Sequence, residues 1–462
     1  MWSLADFGDR IAAIDERYGA FSYADLHRET LQLALCVNPS RSLAFCLCAN
    51  EIGSLIGYTA FINNKTVALA LNSSLDRGLL QTLIDAYKPA FIWSPSDLIF
   101  KDFEKIYESF GYSLLRTPFE PCELFGDLAL LLTTSGSTGS PKLVRQSYRN
   151  IRANTESIIK YLKMDETHRA ITTLPMYYTY GLSIINTHLA VGASIVLTKK
   201  TLAQKEFWQA IKENNVTNFG GVPYTYEVLK KLRFFQMRLP SLRYITQAGG
   251  KLNVQTCLEF AEGCKKIGVD FIVMYGATEA TARMSYVPAD RAIKKAGTIG
   301  VAIPNGRFEI IGDRGEIINE IGKIGSLIYY GENVTLGYAQ NREDLAKKDE
   351  RNARLETGDL AMIDGEGYYT IVGRKSRFLK LYGNRVNLAE IEALLSKGGF
   401  EAACVGEDDC LYIFSTSANH KEAIDFIANI TGINRAAFKT IRVIKIPRNE
   451  TGKILYSELK YV

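Results

Sequence analysis

A chain of 462 residues, 47% apolar and 23% charged, is long enough to bury a large core and to form roughly two to four lobes. The net charge of +5 is spread along the chain with no run of five basic residues, which suits small polyanions such as nucleotides and argues against a nucleic-acid partner. No apolar stretch approaches the roughly 18 residues that cross a bilayer, and the N-terminus shows an early acid and no apolar h-region, so neither membrane insertion nor a signal peptide is expected.

In chain order, residues 1–120 alternate helical stretches (24–35 and 79–87) with short apolar strands (43–49, 66–71 and 90–93), the pattern of parallel sheets covered by helices. Cys46 and Cys48 fall in the first of these strands. The eight cysteines include no C-x-x-C pair and the four histidines are scattered, so the expectation is reduced, buried core thiols in a cytoplasmic protein without a zinc site. After residue 142 the alternation resumes: helices at 147–162, 181–191 and 202–214, and strands at 170–174, 193–198, 218–222, 244–248 and 271–274. From about residue 297 the strands become short and glycine-rich (306–311, 316–318, 325–330 and 367–372), a β-rich lobe extending to about 372. A basic patch and a helix at 388–396 follow. The expected fold is α/β: a large multi-lobed N-terminal domain over 1–375, with two parallel-type sheets, helices and the β-rich lobe, then a small mobile α+β domain over 376–462.

Between the two alternating sets, residues 133–142 read Thr-Thr-Ser-Gly-Ser-Thr-Gly-Ser-Pro-Lys, directly after the apolar run 128–132. Glycines let backbone N–H groups approach an anion, hydroxyls add donors, and Lys142 adds a compact charge. The spacing does not fit a Walker A loop, and the same composition also suits a linker.

Six further segments decide between these. Residues 175–181 read Pro-Met-Tyr-Tyr-Thr-Tyr-Gly, 248–250 Ala-Gly-Gly, 275–279 Tyr-Gly-Ala-Thr-Glu and 357–359 Thr-Gly-Asp. Gly373 and Arg374 precede Lys380, Gly383 and Arg385, and residues 447–453 read Pro-Arg-Asn-Glu-Thr-Gly-Lys. Together and in this order, over essentially the whole chain, the seven segments resemble the motifs of the adenylate-forming superfamily: acyl-CoA synthetases, peptide-synthetase adenylation domains and luciferase-like enzymes.

The resemblance implies an AMP-forming acid–thiol ligase. A carboxylic acid attacks the α-phosphate of ATP, pyrophosphate leaves, and the acyl-adenylate passes to the thiol of CoA or of a phosphopantetheine arm on an acyl carrier protein. Two anions must be brought together, so the site has to neutralise charge and hold the groups in line. It further implies that Thr134, Ser135, Gly136, Ser137, Thr138, Gly139 and Lys142 grip the β- and γ-phosphates. Glu279 holds Mg²⁺, a hard cation suited to carboxylate and phosphate oxygens. Thr278 donates to the α-phosphate, and Ala248, Gly249, Tyr275 and Gly276 line the adenine side. Asp359 accepts from the ribose hydroxyls, while Arg374 reaches the ribose or phosphates. Lys453 bridges the substrate carboxylate and the α-phosphate, then swings out as the C-terminal lobe rotates and the 383–385 segment swings in. Outside their motifs, Tyr275 would read as core, Asp359 as a turn acid, and Lys453 as a solvated tail lysine.

Several positions depart from the family pattern. Tyr178 replaces the usual histidine, Leu143 stands where glycine usually follows the lysine, and Ser376 and Arg377 replace common hinge residues. Val273 stands where several relatives have an adenine-binding Asn. No acid occurs in 174–182 to pair with an α-ammonium, which disfavours an amino-acid substrate. Tyr177, Tyr178, Tyr180, Gly220, Gly249 and Gly250 suggest an aromatic-walled pocket for a fatty, hydroxy or aryl acid, although tyrosines at this density also suit plain packing. The alternatives are an amino-acid adenylation enzyme loading a carrier protein and a catalytically silent nucleotide-binding protein.

Overall fold

The structure is a computed structural model that describes all residues but 40, 134–141, 382–383, 408, 418, 449–451, 453 and 461–462, and only the backbone of 376, 378, 380, 384, 385 and 420. Residues group into two compact units: Met1–Arg307 with Tyr330–Leu355, and Phe308–Tyr329 with Glu356–Val462.

The first unit contains two large mixed sheets. In one, the parallel strands Leu128–Thr133, Val67–Asn72, Leu43–Cys48 and Phe91–Pro95 form the centre, flanked by antiparallel neighbours that include Leu143–Ser147 and Gly337–Ala339. In the other, Asp270–Tyr275, Tyr244–Gln247, Asn218–Gly221, Arg169–Ile171, Ser194–Leu197 and Ile11–Asp15 run parallel. Ala44 and Cys46 from the first sheet and Ala13 and Ile195 from the second share one apolar core. The helix Ile52–Asn63 contributes to that core and is buried from Ile52 through Ile62. Such a helix shows no apolar stripe, so a 3.6-residue pattern did not reveal it. Trp93 packs against it and donates its indole N–H to the carbonyl of Gly53 at 2.8 Å. Fully buried aromatics of this kind, Trp93, Phe45 and Phe61 among them, each contribute about 1.5–3 kcal/mol of burial.

Local signals explain the helix starts. Ser147 ends the strand Leu143–Ser147 and caps Tyr148–Leu162, its hydroxyl accepting from the Asn150 N–H while Asn150 answers back to the Ser147 N–H. The helix expected at 202–214 is shorter, Lys205–Glu213, because the Thr201 N–H donates to Gln204 Oε1 at 2.7 Å and holds a turn. The strand expected at 316–318 reduces to a single bridge between Ile311 and Ile317. All eight thiols are free. Five of them are buried as the sequence implies, whereas Cys36, Cys122 and Cys410 are only half-buried, Cys36 because it lies at the C-terminal cap of a surface helix.

The second unit holds most of a four-stranded sheet (Arg307–Ile311, Gly325–Tyr330, Arg354–Ile363 and Tyr369–Arg374). A hairpin of Phe378–Leu381 with Asn384–Asn387 follows, then the helices Leu388–Lys397 and His420–Thr431 and a three-stranded sheet. The mixed α/β class agrees with the sequence reading. Among the described residues no helix is long and apolar enough to cross a membrane.

Candidate active site

The strand Asp270–Tyr275 delivers the Tyr-Gly-Ala-Thr-Glu segment into a tight return. A Cβ on Gly276 would lie 1.6 Å from the carbonyl oxygen of Ala282, so only glycine fits. The Met284 N–H donates to the Tyr275 carbonyl at 2.9 Å and closes the loop. Thr278 and Glu279 begin a single 3₁₀ turn and are half-buried.

Glu279 is held at both ends. Its backbone carbonyl accepts from the Thr335 N–H at 3.0 Å, the Thr335 hydroxyl at 3.1 Å and the Arg351 guanidinium at 3.1 Å. Its Oε1 accepts from the Tyr338 hydroxyl at 2.8 Å. Tyr338 is the residue sequence reasoning missed, since a lone aromatic in a short strand carries no chemical signal. Burial, together with the Glu279 carboxylate, pushes its phenol up to about 12. Lys142 Nζ stands 3.7 Å from the Tyr338 ring centroid, and the Arg351 guanidinium carbon 4.6 Å from it. The register explains the meeting: Tyr338 pairs with Val144, and Lys142 immediately precedes that strand. Fully buried Arg145 braces it by donating to the carbonyls of Tyr338 at 3.1 Å and Leu336 at 3.2 Å. Gln146 Nε2 donates to the Thr278 carbonyl at 3.4 Å. The structure therefore brings Lys142, Thr278 and Glu279 into one neighbourhood. Thr134, Ser135, Gly136, Ser137, Thr138 and Gly139 lie outside the described residues.

A second group forms at the ends of neighbouring parallel strands. Gly249 has φ +82°, and a Cβ there would stand 2.6 Å from the Tyr178 hydroxyl oxygen, so Tyr178 lies against the Ala-Gly-Gly turn. Ala248 is tied to the adjacent strand by its N–H to the Gly221 carbonyl at 3.1 Å, and Gln247 Nε2 braces the Gly250 carbonyl at 2.9 Å. A Cβ on Gly220 would meet the Tyr180 hydroxyl and Ile184 at 2.9 Å each. Tyr178 and Tyr180 meet edge to face at 6.3 Å. Burial raises both phenols, Tyr180 to about 12, with the Arg283 charge opposing the rise. Tyr177, partly buried, packs on the core between the sheets. Val273 packs beside the helix-covered core of its sheet.

In the second unit, Asp359 pairs with Arg374, whose Nε lies 3.0 Å from Oδ1, across the strands Arg354–Ile363 and Tyr369–Arg374. The Asp359 N–H donates to the Thr357 hydroxyl at 3.1 Å, which fixes the Thr-Gly-Asp bend. Arg377, unusual for its position, donates to Glu392 Oε1 at 2.8 Å and lies 3.8 Å from the Tyr456 ring centroid, with the Tyr456 hydroxyl on Glu392 Oε2 at 3.1 Å. It is an internal tie rather than a surface cation. Lys453 and Gly383 lie outside the described residues, and of Lys380 and Arg385 only the backbone is described. Around Lys453, Arg448 bridges Ile454 and Gly452 adopts φ +78°.

Among the described residues no group of three or more His, Cys, Asp or Glu side chains converges. A single carboxylate such as that of Glu279, completed by phosphate oxygens and water, is the kind of ligand set magnesium commonly takes with nucleotides.

A sequence profile described as AMP-binding enzyme matches residues 48–339. The chain belongs to the AMP-binding enzyme family. A probable CoA ligase from Humulus lupulus is 28% identical over 350 residues, covering 72% of this chain and 63% of the relative. An indoleacetate–CoA ligase from Aromatoleum aromaticum is 32% identical over 284 residues, covering 61% and 54%. The chain thus spans less than two thirds of the length of these curated relatives. A 2-succinylbenzoate–CoA ligase from Listeria innocua is 24% identical over 98% of this chain and 93% of its own. The o-succinylbenzoate CoA synthetase of Bacillus subtilis, solved with an acyl-adenylate intermediate, superposes with a TM-score of 0.80 at 22% identity, covering 99% of this chain and 98% of its own. The fold is that of this two-domain AMP-binding architecture.

Proposed function

We propose that this AMP-binding enzyme activates a carboxylic acid with ATP and Mg²⁺ to an acyl-adenylate, releasing pyrophosphate, and passes the acyl group to the thiol of CoA. The observation that carries the reading is the Glu279 site: a carboxylate aimed by the Tyr338 hydroxyl, with the cation Lys142 over the same ring. An anionic metal ligand beside a phosphate-seeking cation is what a Mg–nucleotide requires. The CoA-ligase names of the curated relatives support CoA as acceptor over a carrier protein.

In this reading Lys142 and the residues before it hold the phosphates that leave as pyrophosphate, and Glu279 carries the metal. Magnesium, when bound, neutralises phosphate charge and so eases approach of the second anion. Thr278 steadies the α-phosphate. Asp359, with Arg374 beside it, takes the ribose. Tyr178, Gly220, Gly249 and Gly250 bound the acyl group, and Tyr275 and Ala248 the adenine. Lys453, on the mobile portion 376–462, supplies the charge that offsets repulsion between carboxylate and α-phosphate. The eight free thiols suit a reducing compartment, the cytoplasm.

ATP–pyrophosphate exchange across a panel of carboxylic acids, with and without CoA, tests this. The expected result is exchange that needs both an acid and Mg²⁺, and thioester only when CoA is present. No exchange or pyrophosphate release with any acid refutes it, and exchange confined to amino acids points to the carrier-loading alternative.

A further inference from the structure

Arg283 follows Glu279 by four positions and is only 2% exposed. Its partners are all neutral. Nη1 donates to the Tyr161 hydroxyl at 3.2 Å and also meets the Met274 sulfur, and Nη2 donates to the Ser183 hydroxyl at 2.9 Å. The guanidinium carbon lies 4.4 Å from the Tyr180 ring centroid. Nε is buried without a partner, and no carboxylate among the described residues pairs with this cation. A buried charge with an unmet donor is costly, and counter-charge from a ligand relieves that cost.

The surroundings indicate which ligand. Tyr180 joins Arg283 to Tyr178, and Tyr178 lies against Gly249, at the end of the sheet assigned above to the acyl group. The Nε–H and the second Nη2–H form the edge of a guanidinium that receives a carboxylate with two parallel bonds. Resting on the proposed acid activation, we propose that Arg283 determines specificity by receiving a second carboxylate on the substrate acid, remote from the one that is activated. The substrate class is then a dicarboxylic acid. An α-ammonium would meet a cation here as well as lack an acid in 174–182, so the same arginine disfavours amino acids.

The test compares α,ω-dicarboxylic acids with their monoamides, which keep shape and lose one charge, in exchange assays of the full chain. For a charge-assisted contact the wild type is expected to favour the diacid by about 10- to 100-fold in kcat/KM. Arg283→Met is expected to erase that preference while leaving the monoamide rate within about 3-fold, and Arg283→Lys, which keeps the charge but loses the fork, is expected to retain part of it. Binding is read independently: the best diacid is expected to raise the melting temperature of the wild type and not of Arg283→Met. Should Arg283→Met fail to fold, the Arg283→Lys ratio carries the test. Equal loss on diacid and monoamide, or a wild type that prefers monoamides, overturns the inference alone. Absence of exchange with every acid overturns the activity and this inference with it.

Discussion

Removing the Tyr338 hydroxyl isolates what holds Glu279. Tyr338→Phe keeps the ring on which Lys142 and Arg351 rest, at 3.7 and 4.6 Å, and deletes the hydroxyl with its 2.8 Å bond to Oε1. A hydrogen bond to a charged group contributes about 1.5–3 kcal/mol, and the half-buried setting reduces this to about 1 kcal/mol, or roughly 5-fold. The loss is expected in the Mg²⁺ and ATP dependence of pyrophosphate exchange, as a KM for Mg–ATP raised about 5-fold with the acid KM unchanged. Tyr338→Ala also removes two cation–ring contacts of about 0.5–1 kcal/mol each, so its combined loss is about 2–3 kcal/mol, roughly 30- to 150-fold. Phe and Ala variants with equal defects would mean that the hydroxyl does everything and the cations nothing. A Phe variant with wild-type Mg²⁺ dependence would refute the argument that Tyr338 aims Glu279.

Three further outcomes are expected. Lys453→Ala abolishes adenylation yet still converts supplied acyl-adenylate to thioester, as read by exchange and by thioester formation; adenylation at the wild-type rate removes Lys453 from the proposed role. Gly276→Ala forces a Cβ to within 1.6 Å of the Ala282 carbonyl oxygen, so the loop carrying Thr278 and Glu279 must shift; a stability loss of about 3 kcal/mol or more and collapse of exchange are expected in calorimetry and assay. His188, buried with Nδ1 2.7 Å from the Ile184 carbonyl, is pushed down to about 4 by burial. The unfolded chain, titrating near 6.5, then binds the extra proton first, so stability is present above pH 6.5 and falls toward pH 4, by about 2 kcal/mol at pH 5. His188→Gln is expected to flatten that slope in urea unfolding at pH 7.5 and 5.0; an unchanged slope refutes the assignment.

The contrast between Tyr177 and Tyr178 shows where sequence reading stops. Both sit in one aromatic stretch, yet one packs on the core between the sheets and the other lies against Gly249. Which way each ring turns depends on elements far away in the chain. Tyr338 makes the same point: its partner Glu279 is 59 positions away, and nothing local to either residue announces the bond. The helix Ile52–Asn63 escaped for a related reason, because burial on every side removes the periodicity that marks a surface helix.

Contiguous residues carry everything that could be read before folding. The alternating strands and helices set the α/β class, and the glycine-rich loop with its six companion motifs in order indicated the family. Tertiary structure alone decided how distant segments meet: the Tyr338 bond to Glu279, the Arg377 tie to Glu392, and the burial of Arg283 among neutral partners. Burial and charge pairing are properties of neighbours in space. A motif names a residue's chemistry, and only packing assigns it a partner.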